Sequence, residues 1–66
     1  MKVLVNSKET VLAEQATVSI LKDSLLLPEQ GVAIAVNNKM IPRAEWDSFS
    51  LKENDNIVII KAACGG

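Results

Sequence analysis

The chain contains no histidine and no tyrosine, and it has only one cysteine, one tryptophan, one phenylalanine, two prolines and three glycines. Each shortage excludes something. Without histidine, the side chain that most often serves as general base or metal ligand near neutral pH is missing. A single cysteine with dispersed carboxylates offers no metal-ligand spacing, and the three glycines form no phosphate-cradling loop. One cysteine cannot close an internal disulfide. With no export signal at the N-terminus, the expected compartment is a reducing cytoplasm. No apolar run approaches the ~20 residues of a membrane span, so no membrane is expected. Seven basic residues stand against eight acidic ones, for a net charge of −1. The basic residues are scattered, whereas nucleic-acid binding needs them clustered, so no nucleic-acid partner is expected. This inventory argues against an enzyme with its own catalytic machinery or a bound cofactor. It suits a protein that lends one group to other enzymes.

What is present is apolar. Hydrophobic residues make up 48% of the 66 positions, too many for disorder. The length allows one domain, which buries about 60% of its unfolded surface. Residues 1–6 alternate, with Val3 and Val5 on one face and Leu4 on the other, as a strand does. Residues 7–9 read as a polar turn and 10–13 as a second strand, making an antiparallel hairpin. Thr17 is suited to cap a helix. Val18, Leu21 and Leu25 form its apolar stripe, with Lys22 at the border. Pro28 is expected to end that helix. Val32 to Val36 are five apolar residues in a row, the mark of a central strand buried on both faces. The small Ala33 and Ala35 would let the helix lie close on their side. Asn37-Asn38 makes a tight turn, because Asn tolerates left-handed backbone.

Residues 39–41 form a short returning strand. Pro42 can start a single helical turn through Trp46, a core lid whose indole N–H needs a partner if buried. Arg43 can pair with Asp47, four residues on. Leu51 is a core anchor. Residues 53–56 form a turn in which Asn54 or Asn56 takes the left-handed position, and Asn56 to Lys61 is the last strand. A hairpin, a helix, and a last strand returning to lie parallel beside the first describe an α+β protein. The layout is the β-grasp (ubiquitin-like) one, a mixed sheet of four to five strands with one main helix. The helix covers one face of the sheet and leaves the other as a candidate docking surface. Alternation along the last strand puts Ile57 and Ile59 on one face and Val58 and Ile60 on the other. Val58 and Ile60 are taken to face outward, continuing into Ala62.

The expected division is therefore a β-grasp domain over residues 1–61 and a flexible C-terminal tail over residues 62–66. That tail, Ala62-Ala63-Cys64-Gly65-Gly66, follows a stiff strand. Glycine has no Cβ, so such an end can thread a narrow channel and present an open carboxylate. The alternative is a frayed terminus that happens to end in glycine.

The stretch from Ile34 through Val36-Asn37-Asn38-Lys39-Met40-Ile41-Pro42-Arg43 to Trp46, taken with Gly65-Gly66, resembles the ThiS family of sulfur carriers of thiamine biosynthesis. The resemblance covers essentially the whole chain. Its most specific part is Val36-Asn37, Ile41-Pro42-Arg43 and Trp46. Asn54-Asp55 stands where members often carry Gly-Asp, and Cys64 stands where a small or aliphatic residue is expected. The resemblance implies a protein co-substrate. A ThiF-like adenylyltransferase would use ATP and Mg to activate the Gly66 carboxylate. Sulfur derived from cysteine through a cysteine desulfurase would replace AMP. A ThiG-like thiazole synthase would then take the sulfur from the Gly66 thiocarboxylate. Gly65 and Gly66 are carried over as the reactive end. Val58, Ile60, Ala62, Ala63, Cys64 and Arg43 are the candidate partner interface. The rival readings are the small subunit of molybdopterin synthase, with the same fold and chemistry, and a conjugating ubiquitin-like modifier.

Overall fold

The computed structural model describes residues 1–28 and 30–61. Strands β1 (Lys2–Val5) and β2 (Lys8–Val11) are followed by helix α1 (Val18–Ser24). Then come β3 (Val32–Val36), β4 (Lys39–Met40), a 3₁₀ turn (Arg43–Glu45) and β5 (Asn56–Lys61). The strands form one sheet in the order β2-β1-β5-β3-β4. β1 and β5 are parallel, and the other neighbours are antiparallel. This is the β-grasp fold, with the last strand at the centre of the sheet.

Side-chain size decides which face of the sheet is covered. Val3, Val5, Val32, Ile34, Val36 and Ile57 are buried with Val18 and Leu21 of α1. Ala16, Ile41, Trp46 and Leu51 close the same core. The large residues of β3 fill the space beneath the helix, so Ala33 and Ala35 turn to the open face instead of receiving the helix. β3 is an interior strand but not the central one, and its second face is only partly covered.

Both tight turns are built by asparagine. Asn6 and Ser7 have φ of 50° and 70°, and Asn37 and Asn38 have 52° and 70°. Two residues of positive φ between antiparallel strands make a type I′ turn, whose twist matches that of the strands it joins. The first turn is thus Asn6-Ser7, and the polar residues Lys8 and Glu9 already belong to β2. Asn54, with φ 68°, is the left-handed residue before β5.

The first free N–H groups of α1 all find acceptors. Val18 donates to the Phe49 carbonyl, Ser19 to the Trp46 carbonyl, and Ile20 to the Thr17 hydroxyl at 3.3 Å. The segment after the 3₁₀ turn therefore serves as a cap as well as a connection. The helix ends at Ser24, well before Pro28. Leu26 donates to the Asp23 carbonyl and Leu27 to the Lys22 carbonyl, with Leu26 at φ 55°. This is a Schellman end with leucine in the position that glycine usually takes. Leu25 consequently lies beyond the helix and is 37% exposed, not part of the buried stripe.

A left-handed leucine costs roughly 1–2 kcal/mol, and at 89% exposure its side chain recovers little of that by burial. Leu26→Gly is expected to stabilise the domain by about 0.5–1 kcal/mol, after glycine's greater unfolded-state freedom is subtracted. Thermal unfolding should show a rise of a few degrees. An unchanged or lower melting temperature would mean that the helix ends otherwise in solution.

Candidate functional site

The reactive end expected from the sequence, Gly65 and Gly66, lies outside the described residues, as do Ala62, Ala63 and Cys64 of the expected interface. What the structure does place is the strand that leads to them. β5 runs between β1 and β3. It pairs with β3 over five residues, from Val36↔Ile57 to Val32↔Lys61. Ile57 is fully buried, while Val58 is 37% and Ile60 52% exposed. Both stand on the open face of the sheet, as the alternation implies.

The neighbours of these two residues follow from register. Ala33 lies opposite Ile60 and Ala35 opposite Val58. Met40, 55% exposed, lies opposite Ala35 on the far side. Leu4 pairs with Asn56 on the β1 side. Directly opposed residues of neighbouring strands share a face. The open face thus carries Leu4, Ala33, Ala35, Met40, Val58 and Ile60. The two alanines leave Val58 and Ile60 standing above their surroundings. A Lys2–Glu9 ion pair at 3.7 Å lies at the β1–β2 side of this face. An apolar patch with a charged border, on the last strand of the sheet, has the make-up of a protein docking surface.

Arg43 belongs to the 3₁₀ turn. Its guanidinium lies over the Trp46 ring, 4.6 Å from the centroid. The indole is buried in the core and donates from Nε1 to the Ile41 carbonyl at 2.8 Å, the partner a buried tryptophan requires. Asp47, the expected partner of Arg43, instead accepts a hydrogen bond from the Ser19 hydroxyl. Among the candidate interface residues that are described, the structure brings Val58 and Ile60 together on the open face, and Arg43 stacks on Trp46.

Two asparagines hold β5, one at its start and one at Ile59. Asn37 Oδ1 accepts from the Asn56 N–H at 2.9 Å, and its Nδ2 donates to Asp55 Oδ1 at 3.0 Å. Asp55 Oδ2 in turn accepts from the Lys52 N–H at 2.7 Å. Asn6 Oδ1 accepts from the Ile59 N–H at 2.8 Å, and its Nδ2 reaches the Ile59 carbonyl at 3.4 Å. Sequence reading assigned Asn37 to a turn and Asn6 to the end of a strand. These long-range bonds carry no local signal, because each partner lies 18 or more residues away.

Elsewhere, a cleft of about 250 Å³ is lined by Val36, Asn37, Lys39, Phe49, Ser50, Lys52 and Asp55. It lies at the Ile57 end of β5, away from Lys61. Among the described residues there is no cluster of His, Cys, Asp or Glu able to hold a metal ion, and no helix long and apolar enough to cross a membrane.

Comparison with known proteins places this geometry in a family. The chain is 29% identical over 66 residues to the sulfur carrier protein ThiS of Escherichia coli strain K12, with 100% of both chains covered. The crystal structure of a thiamine biosynthesis protein (ThiS) from Geobacter metallireducens superposes with a TM-score of 0.84 at 25% identity, over 100% of both chains. The solution structure of a thiamine biosynthesis protein from the same organism gives 0.82 at 25% identity, covering 100% of this chain and 88% of that one. The ThiS family model matches residues 1–66, and the chain belongs to the ThiS family.

Proposed function

We propose that the chain is a sulfur carrier of thiamine biosynthesis, a protein co-substrate with no catalysis of its own, working in the cytoplasm. The observation that carries this reading is that the family match runs over residues 1–66 and so includes Gly65 and Gly66. A free carboxylate is a poor electrophile, because its charge repels nucleophiles and oxide is a poor leaving group. An adenylyltransferase of the ThiF kind, with ATP and Mg, converts the Gly66 carboxylate to an acyl adenylate and releases pyrophosphate. The terminal sulfur of a persulfide, supplied from cysteine by a desulfurase, displaces AMP. A second thiol splits the remaining S–S bond and leaves a thiocarboxylate on Gly66. Its ionised sulfur is the nucleophile delivered to a thiazole synthase of the ThiG kind.

The open face supplies the grip. Val58 and Ile60, raised above Ala33 and Ala35, dock the adenylating enzyme, and Ala62, Ala63 and Cys64 lead the glycines into its site. Two enzymes must use this end in turn, so a small face with modest, reversible affinity is the suitable design.

The test is mass spectrometry of the chain after incubation with the adenylating enzyme, Mg-ATP and a persulfide donor. The expected product gains the mass of one sulfur and loses that of one oxygen, located at Gly66. Higher-mass protein ladders would point to a conjugating modifier, and an unmodified chain would refute the carrier. Cys64→Ala is expected to leave the mass gain intact, because a free cysteine usually behaves as a small hydrophobe. Loss of the gain in that variant would assign the thiol a direct part.

A further inference from the structure

The parallel ladder between β1 and β5 ends in an unusual way. Its register runs Leu4↔Asn56 and Val5↔Ile57, and its last backbone bond is from the Asn6 N–H to the Ile57 carbonyl at 2.8 Å. At Asn6 the chain turns away toward β2 with φ 50°. The next β5 residue facing that side is Ile59, and no β1 backbone is left to meet it. The Asn6 carboxamide takes the place of that backbone, accepting from the Ile59 N–H and donating to the Ile59 carbonyl across 53 positions of sequence.

The two roles of Asn6 are separable. Glycine or aspartate would satisfy the left-handed turn. Only a carboxamide offers an acceptor and a donor side by side to a single backbone residue. Ile59 is also the last β5 residue with a described neighbour on both sides. It pairs with Ile34 of β3 and is clasped by Asn6. Beyond it, Lys61 pairs with Val32 of β3 alone among the described neighbours.

We propose that Asn6 is a positioning residue for the proposed activation of Gly66. It pins β5 at Ile59, where the β1 backbone has turned away, and so fixes the strand from which the chain continues toward Gly66. The proposal rests on the sulfur-carrier reading. It adds that the sheet, through one side chain distant in sequence, aims the reactive end while the open face does the docking.

The test uses the full chain, the adenylating enzyme and Mg-ATP, with pyrophosphate release as the rate and amide hydrogen exchange as the structural readout. Asn6→Gly keeps the turn and removes the clasp. The Ile59 amide should lose at least about tenfold in protection, while the Ile60 amide, which points to β3, keeps its own. Activation should lose roughly tenfold in kcat with KM unchanged, because a misaimed group still docks but reaches the reactive geometry less often. Asn6→Asp, which keeps the acceptor for the Ile59 N–H, should recover part of both. A merely stabilising role would act differently: it would reduce the folded fraction, raising apparent KM while leaving kcat at saturation unchanged. That pattern, or unchanged Ile59 exchange in Asn6→Gly, overturns the proposal. If the wild-type chain releases no pyrophosphate, the carrier reading falls and the positioning role falls with it, whatever the exchange result.

Discussion

Ile57→Ala is expected to remove about half of the stability of the domain, whereas Ile60→Ala, three positions on in the same strand, should remove almost none. Ile57 is fully buried at the centre of the sheet, paired with Val5 on one side and Val36 on the other. Truncating a buried isoleucine costs about 2–5 kcal/mol, the transfer term plus the cavity it leaves. A domain of 66 residues has roughly 3–10 kcal/mol to lose. At the middle of those ranges the variant keeps about 3 kcal/mol, roughly half of what the domain had. Ile60 is 52% exposed on the open face, where substitutions usually stay within about 0.5 kcal/mol. Urea titration followed by circular dichroism separates the two. Equal losses would mean that the strand is turned over and that Ile60, not Ile57, faces the core. If Ile60→Ala also weakens the adenylating enzyme's KM for the carrier while Ile57→Ala acts only through stability, the docking role of the open face gains independent support.

The contrast between these two isoleucines was legible in the sequence, as was the order of the strands. A period of two marks faces wherever a strand is half buried, and Val58 and Ile60 lie where that period puts them. Trp46 and its need for a hydrogen-bond acceptor were legible for a chemical reason, since a buried indole N–H must be met. The side of β3 was misread because small residues were taken as room for the helix. The competing demand was volume: Val32, Ile34 and Val36 fill the core, and the alanines are left to the open face.

Turn chemistry explains two further differences. Asn6-Ser7 lacks the glycine of the strongest hairpin signal, yet both residues adopt positive φ, so the hairpin turns one step earlier than its polar residues suggest. The helix stops at Ser24 because Leu26 goes left-handed, which no propensity for leucine foretells, and Pro28 merely follows. The clasp of Ile59 by Asn6 was invisible for a different reason. It joins residues 53 positions apart, and only the parallel return of β5 beside β1 brings them together. The open face could be anticipated, but the manner in which the sheet holds the strand leading from it could not.

Two changes at the proposed reactive end should abolish activation while leaving the domain folded: Gly65→Val, and the addition of one residue after Gly66. They act by different physics. Valine brings a β-branched side chain, which narrows the accessible backbone and widens the chain by several heavy atoms. A channel that admits a glycine pair then rejects the end or holds it wrongly. An added residue leaves Gly65 and Gly66 unchanged but moves the free carboxylate by about 3.5 Å, one extended residue. Misplacement by about 1 Å can cost about a hundredfold in rate, so several ångströms take the carboxylate out of reach of the nucleotide phosphate. The described core draws its buried side chains from Val3 through Ile57, so melting temperatures should match wild type in both variants. Binding should survive as well, because the proposed docking residues Val58 and Ile60 are untouched. Each variant is therefore expected to compete with the wild-type chain for the adenylating enzyme while releasing no pyrophosphate itself. Inhibition without turnover would separate the grip from the chemistry in one assay. Normal turnover in either variant would show that the enzyme does not read the end by its width and reach, and the sulfur-carrier mechanism would need another site of activation.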